Sequence, residues 1–154
     1  MKHNAYTDGA CRTILKESGV CSCAFAVVRC GSGTEEVEHS RGFLLPGKHT
    51  NNYAEYMGLL YLTEYLEDND YEEVTIYSDS KLVINHVLQQ WKCNNPEFRD
   101  WANLIYARII RGKHRLLHVR GHNGNSGNEL VDRICNEVLE EYEQRKEENV
   151  PSKS

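Results

Sequence analysis

Four acidic residues carry the chemistry this chain could perform: Asp8 in Tyr-Thr-Asp-Gly-Ala, Glu55 in Asn-Asn-Tyr-Ala-Glu-Tyr, Asp79 in Ile-Tyr-Ser-Asp-Ser and Asp132 in Asn-Glu-Leu-Val-Asp. Asp8 and Asp79 each close a β-branched or aromatic run, where a strand is expected to meet a turn. Glu55 shares a helical stripe with Leu59, Leu62 and Leu66, which draws it toward the core. A carboxylate gathered into apolar surroundings needs a partner, because an unpaired buried charge is costly. No matching set of lysines or arginines accompanies these acids in the sequence. A divalent cation, which takes several hard oxygen ligands at once, is the partner that fits. The pattern points to a metal-dependent enzyme.

These residues must be positioned by some scaffold, and the order of elements is readable. Ala5 to Asp8 reads as the end of a first strand, Val20 to Cys30 as a nearly continuous apolar strand, and Glu35 to Arg41 as its alternating hairpin partner across Gly31-Ser32-Gly33. Pro46-Gly47 is expected to break the chain. Thr50 or Asn51 then caps a helix to about Asp68. A short strand from Val74 to Tyr77, a helix from Ser80 to about Trp91, a second helix from Pro96 to about Ile110 and a strand from Arg115 to Val119 follow. Gly121 to Gly127 reads as a loop. The last helix carries Leu130, Ile134, Cys135, Val138, Leu139 and Tyr142 on one stripe. Three antiparallel strands followed by parallel crossovers give an α/β fold, a mixed five-stranded sheet flanked by helices.

At 154 residues the chain is long enough for one domain with its own core. Neither the start nor any later run is apolar enough for a secretory leader or a membrane span, so a soluble, cytoplasmic protein is expected. The six cysteines include no Cys-x-x-Cys pair, and Cys21 and Cys23 alternate in a strand; they read as small hydrophobes kept reduced, with a disulfide among Cys11, Cys21 and Cys30 left open. The seven histidines form no zinc motif. The net charge of −5 gives no overall pull toward a polyanion, but Lys81 to Arg133 is locally basic.

In order along the chain, Tyr6-Thr7-Asp8-Gly9, Thr50-Asn51-Asn52-x-x-Glu55, Ser78-Asp79-Ser80 and Val119-x-Gly121-His122 with Asn128-Glu129-x-x-Asp132 resemble type 1 ribonuclease H. The likeness runs from Tyr6 to about Tyr142. It implies the ribonuclease H-like fold over residues 1–148; the terminal residues 149–154 are expected, from their own sequence, to form a disordered tail. The implied activity is endonucleolytic cleavage of the RNA strand of RNA/DNA hybrids, leaving 5′-phosphate and 3′-hydroxyl ends. It further implies Asp8, Glu55, Asp79 and Asp132 as ligands of two Mg2+ ions, with Mn2+ as a substitute, and His122 as an auxiliary catalytic residue suited to proton transfer or product release. Thr50, Asn51, Asn52 and Lys81 become contacts to the hybrid, and the protein is expected to act as a monomer away from membranes.

Two departures bear on this. The segment Cys11 to Gly19 lacks the Asn-Pro-Gly-type contact usual after the first aspartate, and Trp91 to Pro96 leaves no room for the basic extra helix of larger bacterial relatives. Substrate affinity then falls to the Lys81 to Arg120 face. A resolvase or integrase of the same superfold, and a non-catalytic nucleic-acid-binding module, are the competing readings. The Asn-Asn segment and the Gly-His pair favour ribonuclease H over the former, and retention of all four acids weighs against the latter.

Overall fold

The computed structural model describes residues 2–15, 18–120 and 126–148. Its elements are β1 (Lys2–Leu15), β2 (Ser18–Cys30), β3 (Glu35–His49), α1 (Asn51–Asp68), β4 (Thr75–Ser78), α2 (Lys81–Val87), α3 (Pro96–Gly112), β5 (Arg115–His118) and α4 (Ser126–Glu148). The strands form one sheet in the order β3-β2-β1-β4-β5. The β1–β2 and β2–β3 pairs are antiparallel, and β4 runs parallel to both β1 and β5. The expected succession of elements and the mixed sheet are both present.

Period-two alternation splits the core into two layers. Ala5, Phe25, Val27 and Ile76 face Leu59, Leu62 and Leu66 of α1, Val83 of α2 and Ile105 of α3. On the other side of the sheet, Tyr6, Ala24, Ala26 and Val28 face Val131 and Cys135 of α4. Neighbours in sequence therefore report to opposite layers, and a site at the sheet edge can draw side chains from both. Caps fix where the helices begin: the Thr50 hydroxyl accepts from the Tyr53 amide, the Ser80 hydroxyl from Val83, and the Asn95 side chain from Glu97 and Phe98 just ahead of Pro96 at the first turn.

Four expectations are corrected. Asp8 does not end its strand; β1 continues to Leu15 because β2 keeps pairing with it beyond Asp8, down to Leu15 opposite Ser18. Pro46 and Gly47 do not break β3, which reaches His49; they bulge out between Leu45, opposite Cys21, and Lys48, opposite Val20. An edge strand tolerates this, since proline has no amide to give a ladder. Helix α2 stops at Val87 instead of about Trp91, with Gln89 at a φ of 61° and the amides of Gln90 and Trp91 folding back to the Asn85 carbonyl. Finally, Cys11 and Cys21 are joined by a disulfide. They are direct cross-strand partners, a relation set by sheet register and not by sequence spacing. Cys23, Cys30, Cys93 and Cys135 keep free thiols. The tail expected over 149–154 lies outside the described residues, as does His122. No described helix is long and apolar enough to cross a membrane.

Candidate active site

The site is a notch made by unequal strands. Parallel pairing of β1 with β4 ends where Thr7 meets Ser78, while β1 runs on, so Asp8 is the first β1 residue without a β4 neighbour. Asp79 follows directly where β4 stops. From the α1 layer, Glu55 reaches the same opening. One oxygen or more from each of Asp8, Glu55 and Asp79 falls in a group whose members all lie within 4.8 Å of one another.

Gly9 makes this approach possible. A Cβ there would stand 2.5 Å from the Ala54 carbonyl carbon and 2.6 Å from the Glu55 amide nitrogen, both backbone atoms, so α1 rests on β1 only because position 9 has no side chain. Its amide also donates to Asp8 Oδ1 at 2.9 Å and to Glu55 Oε1 at 3.1 Å, holding one oxygen of each acid. The second Glu55 oxygen, Oε2, is buried without a hydrogen-bond partner.

Asp8 and Glu55 are 5% and 9% exposed, and the electrostatics follow from that burial. Loss of hydration, then the charge of Asp79, pushes the Asp8 carboxyl up to about 7, with Asp132 adding to the rise and the Gly9 amide opposing it. Loss of hydration, then Asp8 and Asp79, holds Glu55 well above the usual carboxylate range. The charges acting on this pair have the same sign as the pair itself. Without a cation, the pair avoids double ionisation by retaining a proton. Hard oxygen donors from three residues, mutual repulsion and an orphaned buried oxygen together fit a divalent cation.

The remaining expected residues fall into three groups. Asp132, in the second turn of α4, bears on Asp8 through its charge but stands outside the 4.8 Å group. Thr50, Asn51 and Asn52 are exposed at the start of α1, and Lys81 is exposed at the start of α2, flanking the notch on the side of Glu55 and Asp79 respectively. His122 is not among the described residues. Sequence reasoning gave Gly9 a place in a motif but no role. The signal was there, in a glycine placed immediately after a carboxylate inside a strand. Lys48 and His49 were passed over as well; with Thr50, Tyr53, Asn95, Glu97 and Phe98 they line a cleft of about 400 Å3 beside the helix start.

The family model for RNase H matches residues 1–140. The chain belongs to the RNase H family. A ribonuclease H from Rhodopirellula baltica is 30% identical over 151 residues, covering 89% of this chain and 90% of its own length. The crystal structure of RNase H1 from the halophilic archaeon Halobacterium salinarum superposes with a TM-score of 0.77 at 25% identity, over 92% of this chain and 99% of that one. LC11-RNase H1, solved in complex with an RNA/DNA hybrid, shares the fold at a TM-score of 0.70 and 22% identity, over 90% of this chain and 99% of its own. As an RNase H, the chain needs a divalent cation, and its carboxylate notch is where the fold offers one.

Proposed function

We propose that this protein hydrolyses the RNA strand of RNA/DNA hybrids with two divalent ions, Mg2+ with Mn2+ as a substitute, leaving 5′-phosphate and 3′-hydroxyl ends. The observation that carries the reading is the convergence of Asp8, Glu55 and Asp79 in one notch of a chain that matches RNase H over nearly its whole length. Asp8, Glu55, Asp79 and Asp132 are the residues that would hold the metal. When bound, the ions supply a more acidic attacking water and neutralise charge growing on the leaving oxygen.

The chain's own residues do the rest. The Gly9 amide keeps one oxygen of Asp8 and one of Glu55 turned the same way, so both acids present themselves without reorganising. Asn51 and Asn52, exposed beside the notch, carry amides able to read 2′-hydroxyls or base edges in the shallow groove of the hybrid. Thr50 combines its capping role with the mouth of the Lys48-lined cleft, and places that cation and the helix start where a DNA-strand phosphate can rest. Lys81 contributes a second cation near Asp79. His122, ten residues before Asp132, serves proton transfer at the departing 3′ oxygen or assists product release. The catalytic domain spans residues 1–148 and acts as a monomer. A cytoplasmic setting belongs to the same reading, and the Cys11–Cys21 bridge is the feature that argues the other way.

The test is cleavage of matched RNA/DNA, RNA/RNA and DNA/DNA duplexes with and without chelator. Metal-dependent cutting confined to the RNA of the hybrid is expected. Equal cutting of DNA/DNA, or cutting that survives the chelator, would overturn the reading.

A further inference from the structure

The carboxylate that joins the group only at a distance, Asp132, depends on where α4 sits against the sheet. Two buried hydrogen bonds tie α4 to the sheet close to it. The Ser22 hydroxyl of β2 donates to the Cys135 carbonyl at 2.8 Å, and the Cys135 thiol donates to the Asp8 main-chain carbonyl at 3.6 Å. Ser22 and Cys135 are both 0% exposed. The chain thus runs from β2 through α4 to the peptide of Asp8 itself, and it enters α4 three residues, less than one turn, past Asp132. Other features press the same helix to the sheet: Ala24 and Ala26 are small, a Cβ on Gly42 would stand 2.6 Å from Ile134 and 2.8 Å from Val138, one on Gly127 would collide with the Tyr6 ring, and at the exposed far end Arg12 lies 3.2 Å from Glu143. Apolar contact is non-directional and leaves a helix some freedom to slide and roll on a sheet. Directional bonds do not.

We propose that Ser22 and Cys135 are positioning residues that set the register of α4 so that Asp132 is delivered to the Asp8, Glu55 and Asp79 notch. The inference rests on the reading of Asp132 as a metal ligand in the Proposed function. Serine at a position between Cys21 and Cys23 in an otherwise apolar strand is then explained by its hydroxyl, and position 135 requires a side chain that is apolar enough for the layer yet able to donate.

The test uses the full chain with Ser22→Ala, Cys135→Ala and Cys135→Ser, each also built on Asp132→Asn. Mn2+ affinity is measured by calorimetry, turnover on an RNA/DNA hybrid by steady-state kinetics, and folding by circular dichroism. Ser22→Ala should weaken Mn2+ binding and lower kcat by about fivefold each, the worth of one buried hydrogen bond, and leave KM for the hybrid within about twofold. Cys135→Ser, which keeps a donor, should recover most of what Cys135→Ala loses. On Asp132→Asn, Ser22→Ala should change Mn2+ affinity by less than about twofold, because the ligand being positioned is already gone. A folded Ser22→Ala with parental Mn2+ affinity and kcat would overturn the proposal, and so would an equal loss of affinity in the Asp132→Asn background. Should Cys135→Ala fail to fold, Ser22→Ala, which removes a single oxygen, decides alone. A parent that binds Mn2+ but leaves the hybrid intact would defeat the Proposed function and not this inference, which the calorimetric cycle still settles.

Discussion

Helix α1 carries glutamates at both ends, and the two ends are treated in opposite ways. Near its C-terminus, Glu64 and Glu67 meet arginines from α3: Arg108 lies 3.9 Å from Glu64 and 3.5 Å from Glu67, and Arg111 lies 2.8 Å from Glu67. Arg108 also donates to the Leu60 carbonyl at 3.1 Å and to the Thr63 hydroxyl at 3.4 Å; its Nε is near Glu67 but not aligned for a hydrogen bond. Near the N-terminus, Glu55 meets Asp8 and Asp79. Charge at the first end is balanced and half in water, so it ties α1 to α3 at little cost. At the second, Asp8 and Glu55 are buried side by side with the same sign, a penalty at neutral pH that a retained proton or a bound cation relieves. A fold retains such a penalty where it has a use.

The sharpest way to break this contrast is Asp8→Asn. Hybrid cleavage should fall by at least about 1000-fold, since the most central acid of the notch is lost, while the metal-free protein should melt at the same or a higher temperature because one crowded charge is gone. Parental turnover in this variant would remove the metal-site assignment. Gly9→Ala tests the geometry rather than the charge. The added methyl meets backbone atoms of α1, so the helix must lift, with an expected loss of about 2–3 kcal/mol in stability and about 100-fold in kcat. Chemical denaturation and steady-state rates measure the two parts. An active, fully stable Gly9→Ala would show that α1 has slack the structure does not display.

The contrast also has a pH signature. Asp8 is raised to about 7 and Glu55 is raised well above its ordinary value, so between pH 4 and pH 7 the folded metal-free protein holds more protons than the unfolded chain. Stability from these groups is complete below the unfolded carboxylate range near 4 and is lost as pH climbs through the folded values. Metal-free protein should therefore weaken by on the order of 2–4 kcal/mol from pH 4 to pH 8, followed by denaturant titration. Asp8→Asn should flatten the slope and saturating Mg2+ should abolish or invert it. At the balanced end of α1, Arg108→Met should cost about 1–2 kcal/mol through lost hydrogen bonds and ion pairs, with kcat and the pH slope unchanged. A change in kcat would mean that the two ends of the helix are mechanically coupled.

Local patterns revealed the succession of elements because capping, turn residues and periodicity are properties of neighbouring residues: Thr50, Asn95-Pro96 and the Leu59, Leu62, Leu66 stripe each declare themselves within a few positions. The three acids that converge, Asp8, Glu55 and Asp79, were legible through their misfit with the core and their motifs, whereas Asp132 was named on its motif alone. What stayed hidden depends on register between distant segments. The length of β1 past Asp8 is set by β2, the Cys11–Cys21 bond by which residues fall opposite each other, and the Ser22 to Cys135 bond spans 113 positions. The basic run was legible as charge but not as pairing, for the same reason. Charge along the sequence does not say which arginines are already spoken for by Glu64 and Glu67.

The pairing of those arginines leads to the smallest effect, in the salt dependence of hybrid binding. Each phosphate contact releases counterions and adds about 0.9 to the slope of log affinity against log salt on B-form duplex, a little less on single strands. Arg108 and Arg111 are paired with α1, on the far end of that helix from the notch, so no contact is expected from them. Among the described residues, cations beside the site include Lys48 in the cleft with Thr50, and Lys81 at the start of α2. Few contacts mean a shallow slope and a KM that rises quickly with salt only at low ionic strength, where screening is weak. Lys81→Gln and Lys48→Gln should each reduce the slope by about one and raise KM by a few fold, with kcat held, since uniform binding does not favour the transition state. Arg111→Gln should leave slope and KM where they are. Steady-state cleavage at several salt concentrations separates the two kinds of arginine and lysine. If Arg111→Gln flattens the slope as much as Lys81→Gln, the balanced end of α1 also faces the nucleic acid, and charge pairing alone does not divide the structural surface from the functional one.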